Sequence, residues 1–210
     1  MLVAILIYEK LTALDAVGPY EALAHIPGAE VIMVAPREGA VIADTGNLAL
    51  VAGGTTADIA AADALIVPGG EGKRPLLDDE RLLGWIRRVH EHTRVTASVC
   101  TGALLLGAAG LLEGKRATTH WAYRDDLPKY GATPVAERVV RDGKVITAAG
   151  VSAGIELGLT VAAELFGEDA AKAAELGIEY DPKPPFGTGS PERAPAEIVG
   201  AVRELERGGA

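Results

Sequence analysis

A short apolar stretch that turns abruptly from strand to helix constrains this chain more than any other feature. Within residues 95–106, an alternating apolar run predicts a strand over 95–99, and residues 103–106 are strong helix formers. Gly102 permits a tight turn between them, and the only cysteine, Cys100, lies on that turn. The first unpaired N–H groups of the helix favour a thiolate there. The stretch predicts either a reactive thiol on a nucleophile elbow or a small buried apolar residue.

Composition narrows the class of protein. With 210 residues, of which 49% are hydrophobic and 23% charged, the chain suits one folded α/β domain covering residues 1–210. Apolar runs stop well short of the ~18 residues that a membrane span needs, and Met1 leads directly into a strand pattern with no secretory signal. A single cysteine excludes an internal disulfide, so we expect a cytoplasmic protein. The net charge of −9 argues against nucleic acid and anionic membranes as partners.

The amide content of the sequence bears on the heat tolerance of the protein. The sequence contains no Gln and a single Asn, Asn47. Depletion of thermolabile amides is typical of thermophiles, although a GC-rich genome could contribute to the same bias. We therefore expect a heat-tolerant protein, which a melting temperature in the mesophile range would contradict.

Strand and helix patterns alternate along most of the chain. Buried strands are predicted over 2–8, 30–35, 64–67 and 95–99, with helices between or after them, and the turn Arg141-Asp142-Gly143 predicts a hairpin. A further short strand is predicted over 117–120. Residues 181–210 read as a proline-rich strap and a final amphipathic helix packed on the domain. Such alternation predicts an α/β fold with a mostly parallel sheet and helices on both faces.

Sites in folds of this class lie at the carboxyl ends of the strands, and several polar candidates follow apolar strands. Asp15 is either the N-cap of a helix or the acid partner of the thiol, with which it would share one proton while the sulfur stays ionised. Gly69 and Gly70 form either a plain turn or, with the Thr101 N–H, an oxyanion-type cradle. The Thr101 hydroxyl either binds substrate or satisfies a helix terminus.

The histidines of the chain do not predict a metal site. Two of the four, His90 and His92, fit a cationic helix end, and His25 fits a surface loop. Only His120, which follows the short strand predicted before it, has a position consistent with a substrate-facing or catalytic role.

Taken together, three motifs resemble the PfpI/DJ-type superfamily, which has the class I glutamine amidotransferase-like fold. They are Leu14-Asp15-x-x-Gly18-Pro19, Pro68-Gly69-Gly70 and Ser98-Val99-Cys100-Thr101-Gly102. Nearly the whole chain is similar to the isonitrile hydratase branch of that superfamily. Thr after the cysteine and Asp at the partner position favour this branch over the protease-like and deglycase-like ones, and the chain ends too soon for the DNA-binding domain of the regulator branch.

This resemblance implies a three-layer flavodoxin-like sandwich, a homodimer, and hydration of isonitriles to N-substituted formamides without metal or organic cofactor. Cys100 would attack the terminal isonitrile carbon while Asp15 delivers a proton to it, and water would then release the formamide. The N–H groups of Gly70 and Thr101 would stabilise the developing charge, and the Thr101 hydroxyl would orient substrate or water. The charged run at residues 71–74 is unexpected beside an apolar isonitrile.

Two other kinds of function fit the same residues. One is a different enzyme of the superfamily, a glyoxalase, deglycase or peptidase-like protein. The other is a redox sensor without enzymatic activity, in which Cys100 is oxidised to a sulfinic acid.

Overall fold

A mostly parallel seven-stranded sheet organises residues 1–208, the part of the chain that the computed structural model describes. The strands are β1 Leu2–Leu6, β2 Glu30–Ala35, β3 Gly39–Ile42, β4 Ala49–Ala52, β5 Gly54–Thr55, β6 Ala64–Val67, β7 Val95–Val99, β8 Arg116–Ala117, β9 Thr133–Pro134, β10 Val139–Asp142 and β11 Val145–Ala148. Their order in the main sheet is β10-β11-β7-β6-β1-β2-β5, in which β10 is antiparallel to β11 and the other neighbours are parallel. The pairs β3–β4 and β8–β9 form separate ladders.

Helices surround the sheet. They are α1 Ala13–Ala24, α2 Glu80–His92, α3 Gly102–Ala108, α4 Ala153–Phe166, α5 Glu168–Gly177 and α6 Ala196–Gly208, with 3₁₀ segments at Glu71–Asp78 and Trp121–Tyr130. Helix α4 packs on α1 and α5, and α2 packs on α3. Every residue of β6, β7 and β11 is buried, as expected for central strands covered on both faces. The α/β sandwich expected from the sequence is confirmed. Within residues 1–208, no helix has both the length and the apolar content to cross a bilayer.

Local sequence signals explain most element boundaries. Asp79 caps α2 through hydrogen bonds that its side chain accepts from Arg81 N–H at 2.9 Å and Leu82 N–H at 3.2 Å. The predicted hairpin turn joins β10 to β11, with Gly143 at a φ of 63°. The hairpin predicted from the sequence is therefore confirmed.

The strand predicted over 117–120 is wrong in most of its length. Only Arg116–Ala117 forms a strand, and it pairs with β9 instead of joining the main sheet. Beyond it the Thr118 N–H donates to the side-chain oxygen of Thr147, and the Thr119 hydroxyl donates to the carbonyl of Cys100. Side-chain contacts therefore take the place of a strand ladder, and they draw this segment toward the elbow.

Candidate active site

Cys100 lies on a strained turn between β7 and α3. Its φ of 55° is in the left-handed region that residues with a Cβ rarely adopt, at a cost of about 1–3 kcal/mol. Three hydrogen bonds hold the residue there: its N–H donates to Ala148 O at 3.1 Å and to Ala149 O at 2.9 Å, and its carbonyl accepts from the Thr119 hydroxyl at 2.7 Å. The predicted elbow is therefore present, and the surrounding structure stabilises it.

Gly102 serves this elbow for a different reason from the one the sequence suggested. A Cβ at this position would lie 2.0 Å from the carbonyl oxygen of Val67. The glycine therefore permits a close approach of α3 to the end of β6, and Cys100 itself adopts the positive φ of the turn.

The Asp15 side chain is fully buried in the first turn of α1 and is not the helix cap. Thr12 occupies the N-cap position, and the Asp15 Oδ2 accepts a hydrogen bond from Gly69 N–H at 2.8 Å. The other oxygen, Oδ1, has no partner of hydrogen-bond geometry within residues 1–208. The Cys100 thiol lowers the pKa of Asp15, an effect that opposes the effect of burial. The N-cap interpretation of Asp15 is wrong, and its alternative, that this carboxyl is the acid partner of the thiol, stays a prediction.

Burial raises the pKa of both groups. It raises the pKa of Asp15 to about 7, against the hydrogen bonds from Gly69 and Cys100. Burial likewise raises the pKa of the Cys100 thiol, and the Asp15 charge raises it further. The N–H groups of Thr101 and Val151 act in the opposite direction and are outweighed. The expected rise in the pKa of Asp15 is therefore present, whereas the expected thiolate-favouring shift of Cys100 is not.

The two glycines after β6 connect the acid to Thr101. Gly69 N–H binds Asp15, and Gly70 N–H donates to the Thr101 hydroxyl oxygen at 3.1 Å. A Cβ on Gly69 would lie 2.5 Å from Thr101 N and 2.6 Å from its Oγ1. The interpretation of Gly69 and Gly70 as a plain turn is therefore incomplete, because their N–H groups bind Asp15 and Thr101. In the described structure, both N–H groups hold site side chains, whereas the sequence prediction had assigned them to substrate.

A cavity of about 200 Å³ opens beside the sulfur. Its lining includes the predicted residues Gly70, Cys100, Thr101 and His120. It also includes residues that the sequence did not single out as a site: Thr12, Asp44, Glu71, Lys73, Tyr123, Val151, Leu205 and Glu206. Asp15 and Gly69 are not among the residues that line the cavity.

His120 lies at one side of the cavity and is 8% exposed. Its Nδ1 accepts a hydrogen bond from Ala122 N–H at 3.4 Å and lies 4.0 Å from a carboxylate oxygen of Glu206. Burial lowers the pKa of this imidazole, while Glu206 opposes the shift. The ring thus lies on the cavity wall, where the sequence had expected a substrate-facing histidine.

The end of α6 covers the outer side of the cavity with Leu205 and Glu206. Polar contacts fix it to the 3₁₀ segment Trp121–Tyr130: the Tyr123 hydroxyl donates to the Glu206 carbonyl, and Arg207 Nε donates to Ala122 O at 2.7 Å. A second Arg207 nitrogen donates to Asp126 at 2.9 Å. No residue of α6 is buried, so these contacts hold the helix with little apolar packing.

Comparison with known proteins gives independent evidence of the family to which this chain is similar. The sequence pattern of the DJ-1/PfpI family matches residues 1–164. The chain is 47% identical over 202 residues to the isonitrile hydratase of Pseudomonas putida, covering 96% of this chain and 88% of that protein. It is 33% identical over 124 residues to protein DJ-1 homolog A of Arabidopsis thaliana, covering 58% of this chain and 32% of that one. Among solved structures, a ThiJ/PfpI family protein from Pseudomonas syringae superposes with a TM-score of 0.93 at 41% identity, covering 97% of this chain and 85% of that chain.

Proposed function

The chain belongs to the DJ-1/PfpI family, and on that basis we propose that it hydrates isonitriles to N-substituted formamides with Cys100 as nucleophile. The observation that carries the proposal is the 47% identity to an isonitrile hydratase over 96% of the chain. The raised pKa of the buried Asp15 carboxyl, whose charge acts on the Cys100 thiol, supports the chemistry.

In the first step, the thiol adds across the terminal carbon of R–N≡C. Asp15, as carboxylate, accepts the thiol proton while the sulfur electron pair forms the C–S bond. One C≡N bonding pair moves to nitrogen, and the lone pair on carbon takes the proton back from Asp15. The product is the thioimidate Cys–S–CH=N–R, so one proton passes from sulfur to carbon through a single oxygen.

In the second step, water adds to the C=N bond. Its oxygen bonds to carbon and nitrogen gains a proton, which gives Cys–S–CH(OH)–NH–R. When the C–S bond breaks, its electrons return to sulfur, the hydroxyl proton leaves, and H–C(=O)–NH–R is released with the thiol restored. Asp15 is placed to carry the hydroxyl proton to sulfur.

Thr101 has the position of an orienting residue in this scheme. Because its hydroxyl oxygen accepts from Gly70 N–H, its own hydrogen is left to donate toward the cavity. The Thr101 N–H lowers the pKa of the Cys100 thiol, so it favours the anion that forms as the proton leaves. His120 is proposed as a substrate-binding wall.

The direct test is turnover of a simple aryl isonitrile by the purified protein, with formamide followed by NMR. Methylglyoxal is offered in parallel to test the glyoxalase and deglycase alternatives. We expect formamide from the isonitrile, no turnover of methylglyoxal, and complete loss of activity in Cys100→Ala. Near-normal hydration by Cys100→Ala would refute the covalent scheme, and turnover of methylglyoxal alone would replace the proposed function.

The redox-sensor alternative is less consistent with the site. Thiols that oxidise readily are accessible and have a low pKa. Cys100 is 5% exposed, and burial raises its pKa. A protein that hydrates no isonitrile but changes stability or partner on oxidation would favour the sensor.

The homodimer and the cytoplasmic location implied earlier belong to this proposal as well. A largely apolar groove of about 780 Å³ runs along α1, α4 and α5, with Leu14, Ile155 and Ile178 in its lining. We place the contact with a second copy there. Sedimentation at micromolar concentration is expected to give twice the 21.6 kDa chain mass, and a monomer would contradict it.

A further inference from the structure

Lys73 is a buried cation in the same cavity as the nucleophile. The residue is 3% exposed and lies on the 3₁₀ segment Glu71–Asp78. The segment runs close to the chain at Glu9, where a Cβ on Gly72 would lie 1.8 Å from the Glu9 carbonyl oxygen. Buried lysines are rare unless they are paired, because removing an ammonium from water is costly.

The groups around the Lys73 ammonium compensate only part of the free-energy cost of its burial. Its Nζ lies 3.7 Å from a Glu71 carboxylate oxygen and 4.5 Å from the centroid of the Tyr123 ring. Glu71 is engaged elsewhere, since it pairs with Arg74 at 3.0 Å. Within residues 1–208 no acceptor takes a hydrogen bond from Lys73 Nζ. The ammonium therefore has unused donors on the cavity wall.

The size of the cavity determines what reaches those donors. A volume of about 200 Å³ corresponds to roughly seven water volumes. A small molecule bonded through its isonitrile carbon to Cys100 fills such a space and meets the wall that carries Lys73. The carboxylates of Asp44, Glu71 and Glu206 line the same space and outnumber the single ammonium, so they disfavour an anionic substituent.

Resting on the proposed function, we propose that Lys73 selects isonitriles whose substituent carries an uncharged oxygen acceptor, such as an ester, amide or ether. The ammonium donates a hydrogen bond to that oxygen and fixes the substituent while the isonitrile carbon meets the sulfur. Lys73 is thus a specificity-determining residue of the site, and the charged run at residues 71–74 has a function that an apolar substrate would not need.

Three matched isonitriles test the proposal. Methyl isocyanoacetate carries the ester acceptor, 2-methylbutyl isocyanide replaces it with hydrocarbon of the same shape, and isocyanoacetate replaces it with an anion. We expect the native protein to favour the ester over the hydrocarbon by about 10- to 100-fold in kcat/KM, in the range of a charged hydrogen bond. Isocyanoacetate is expected to be the poorer of the two oxygen-bearing substrates.

The variant Lys73→Met keeps the length of the side chain and removes the donor. It is expected to lower kcat/KM for the ester about 10- to 100-fold more than kcat/KM for the hydrocarbon analogue. Lys172→Met, on an exposed i,i+4 pair of α5, is the control for loss of one positive charge and is expected to keep the native preference. An unchanged ester preference in Lys73→Met, or no preference in the native protein, would overturn the inference. If Lys73→Met does not fold, Lys73→Gln replaces it, and its ester preference is expected to fall several-fold.

A binding measurement separates this inference from the proposed function. N-formylglycine methyl ester and N-(2-methylbutyl)formamide are titrated calorimetrically into the native protein and Lys73→Met. We expect tighter binding of the ester only where Lys73 is present. If no isonitrile is hydrated, the proposed function fails, and this comparison alone decides whether Lys73 recognises an oxygen acceptor. Equal binding of the ester by both proteins would then reject the site.

Discussion

The substitution Asp15→Asn tests the role of the buried acid through activity and stability together. Asn keeps the size of the side chain and an oxygen that can accept from Gly69 N–H at the 2.8 Å contact. It removes the group that carries the proton between sulfur and carbon. We expect kcat/KM to fall by about two to four decades, the usual range for a positioned acid–base group.

The pH profile of the native enzyme follows from the pKa of Asp15, which is about 7. The thiol proton needs a carboxylate to accept it, so kcat/KM is expected to rise about tenfold per pH unit below that value and to level off above it. Asp15→Asn is expected to show no inflection near pH 7. A native profile that is flat between pH 5 and 8, or one that falls as pH rises, would refute the proton-carrying role.

The same pKa predicts how stability depends on pH. The folded-state pKa of about 7 exceeds the reference value of 3.8, so between these values the native state holds a proton that the unfolded state has lost. The free energy of unfolding therefore decreases as pH rises from 4 to 7. The difference is about three pKa units, which at 1.36 kcal/mol each corresponds to about 4 kcal/mol.

Urea unfolding of the native protein and Asp15→Asn from pH 4 to 8 measures this term. We expect the variant to gain stability relative to the native protein as pH rises, by an amount of order 4 kcal/mol at pH 8 compared with pH 4. Asp58→Asn is the control, because hydrogen bonds from Thr55 lower the pKa of that exposed carboxyl. Its offset is expected to stay constant across pH 5 to 8. A constant offset for Asp15→Asn as well would mean that the carboxyl is not proton-bound near neutral pH.

Two further substitutions test the parts that surround this pair. In Gly69→Ala, the added Cβ would lie 3.0 Å from Asp15 Oδ2 and 2.5 Å from Thr101 N, so it is expected to displace both groups. We expect kcat to fall by more than tenfold even where circular dichroism shows a folded protein. An unchanged kcat would contradict the packing argument. Tyr123→Phe removes the hydroxyl that holds the Glu206 carbonyl. We expect proteolysis within α6 to become faster and KM to change several-fold while kcat is largely kept, whereas an unaltered cleavage rate would mean that this contact does not hold the helix.

The parts of the fold set by local signals were predictable from the sequence. The strand 95–99 and the hairpin around Gly143 each depend on neighbouring residues whose pattern can be interpreted without the rest of the chain. The segment 117–120 was not, since its bonds to Thr147 and Cys100 come from distant parts of the chain. Strand propensity there yields to tertiary contacts.

In the candidate site, too, features set by local signals were predictable and features set by distant contacts were not. The sequence placed Cys100, Asp15, Thr101 and the two glycines at one edge of the sheet, because parallel strands end together. It did not predict which N–H binds which oxygen, since those pairings span 54 residues from Gly69 to Asp15 and 31 from Gly70 to Thr101. Leu205 and Glu206 line the cavity because α6 packs against the 3₁₀ segment Trp121–Tyr130. No local sequence pattern predicts that packing. The charged run at residues 71–74, which contains Lys73, was a usable indication of a polar cavity wall, because apolar residues were expected there.

The direction of the Cys100 pKa shift has a consequence for the reaction. A helix N-terminus stabilises a thiolate only as far as burial allows, and here burial is the larger effect. A resting thiol is a weak nucleophile, but an isonitrile needs a proton on the same carbon that receives the sulfur. A fully formed thiolate without a protonated acid beside it would already have lost that proton to solvent. Holding the proton between sulfur and an acid of pKa about 7 keeps it beside the carbon until the C–S bond forms. The burial that raises the pKa of the cysteine therefore also retains the second reactant of the addition.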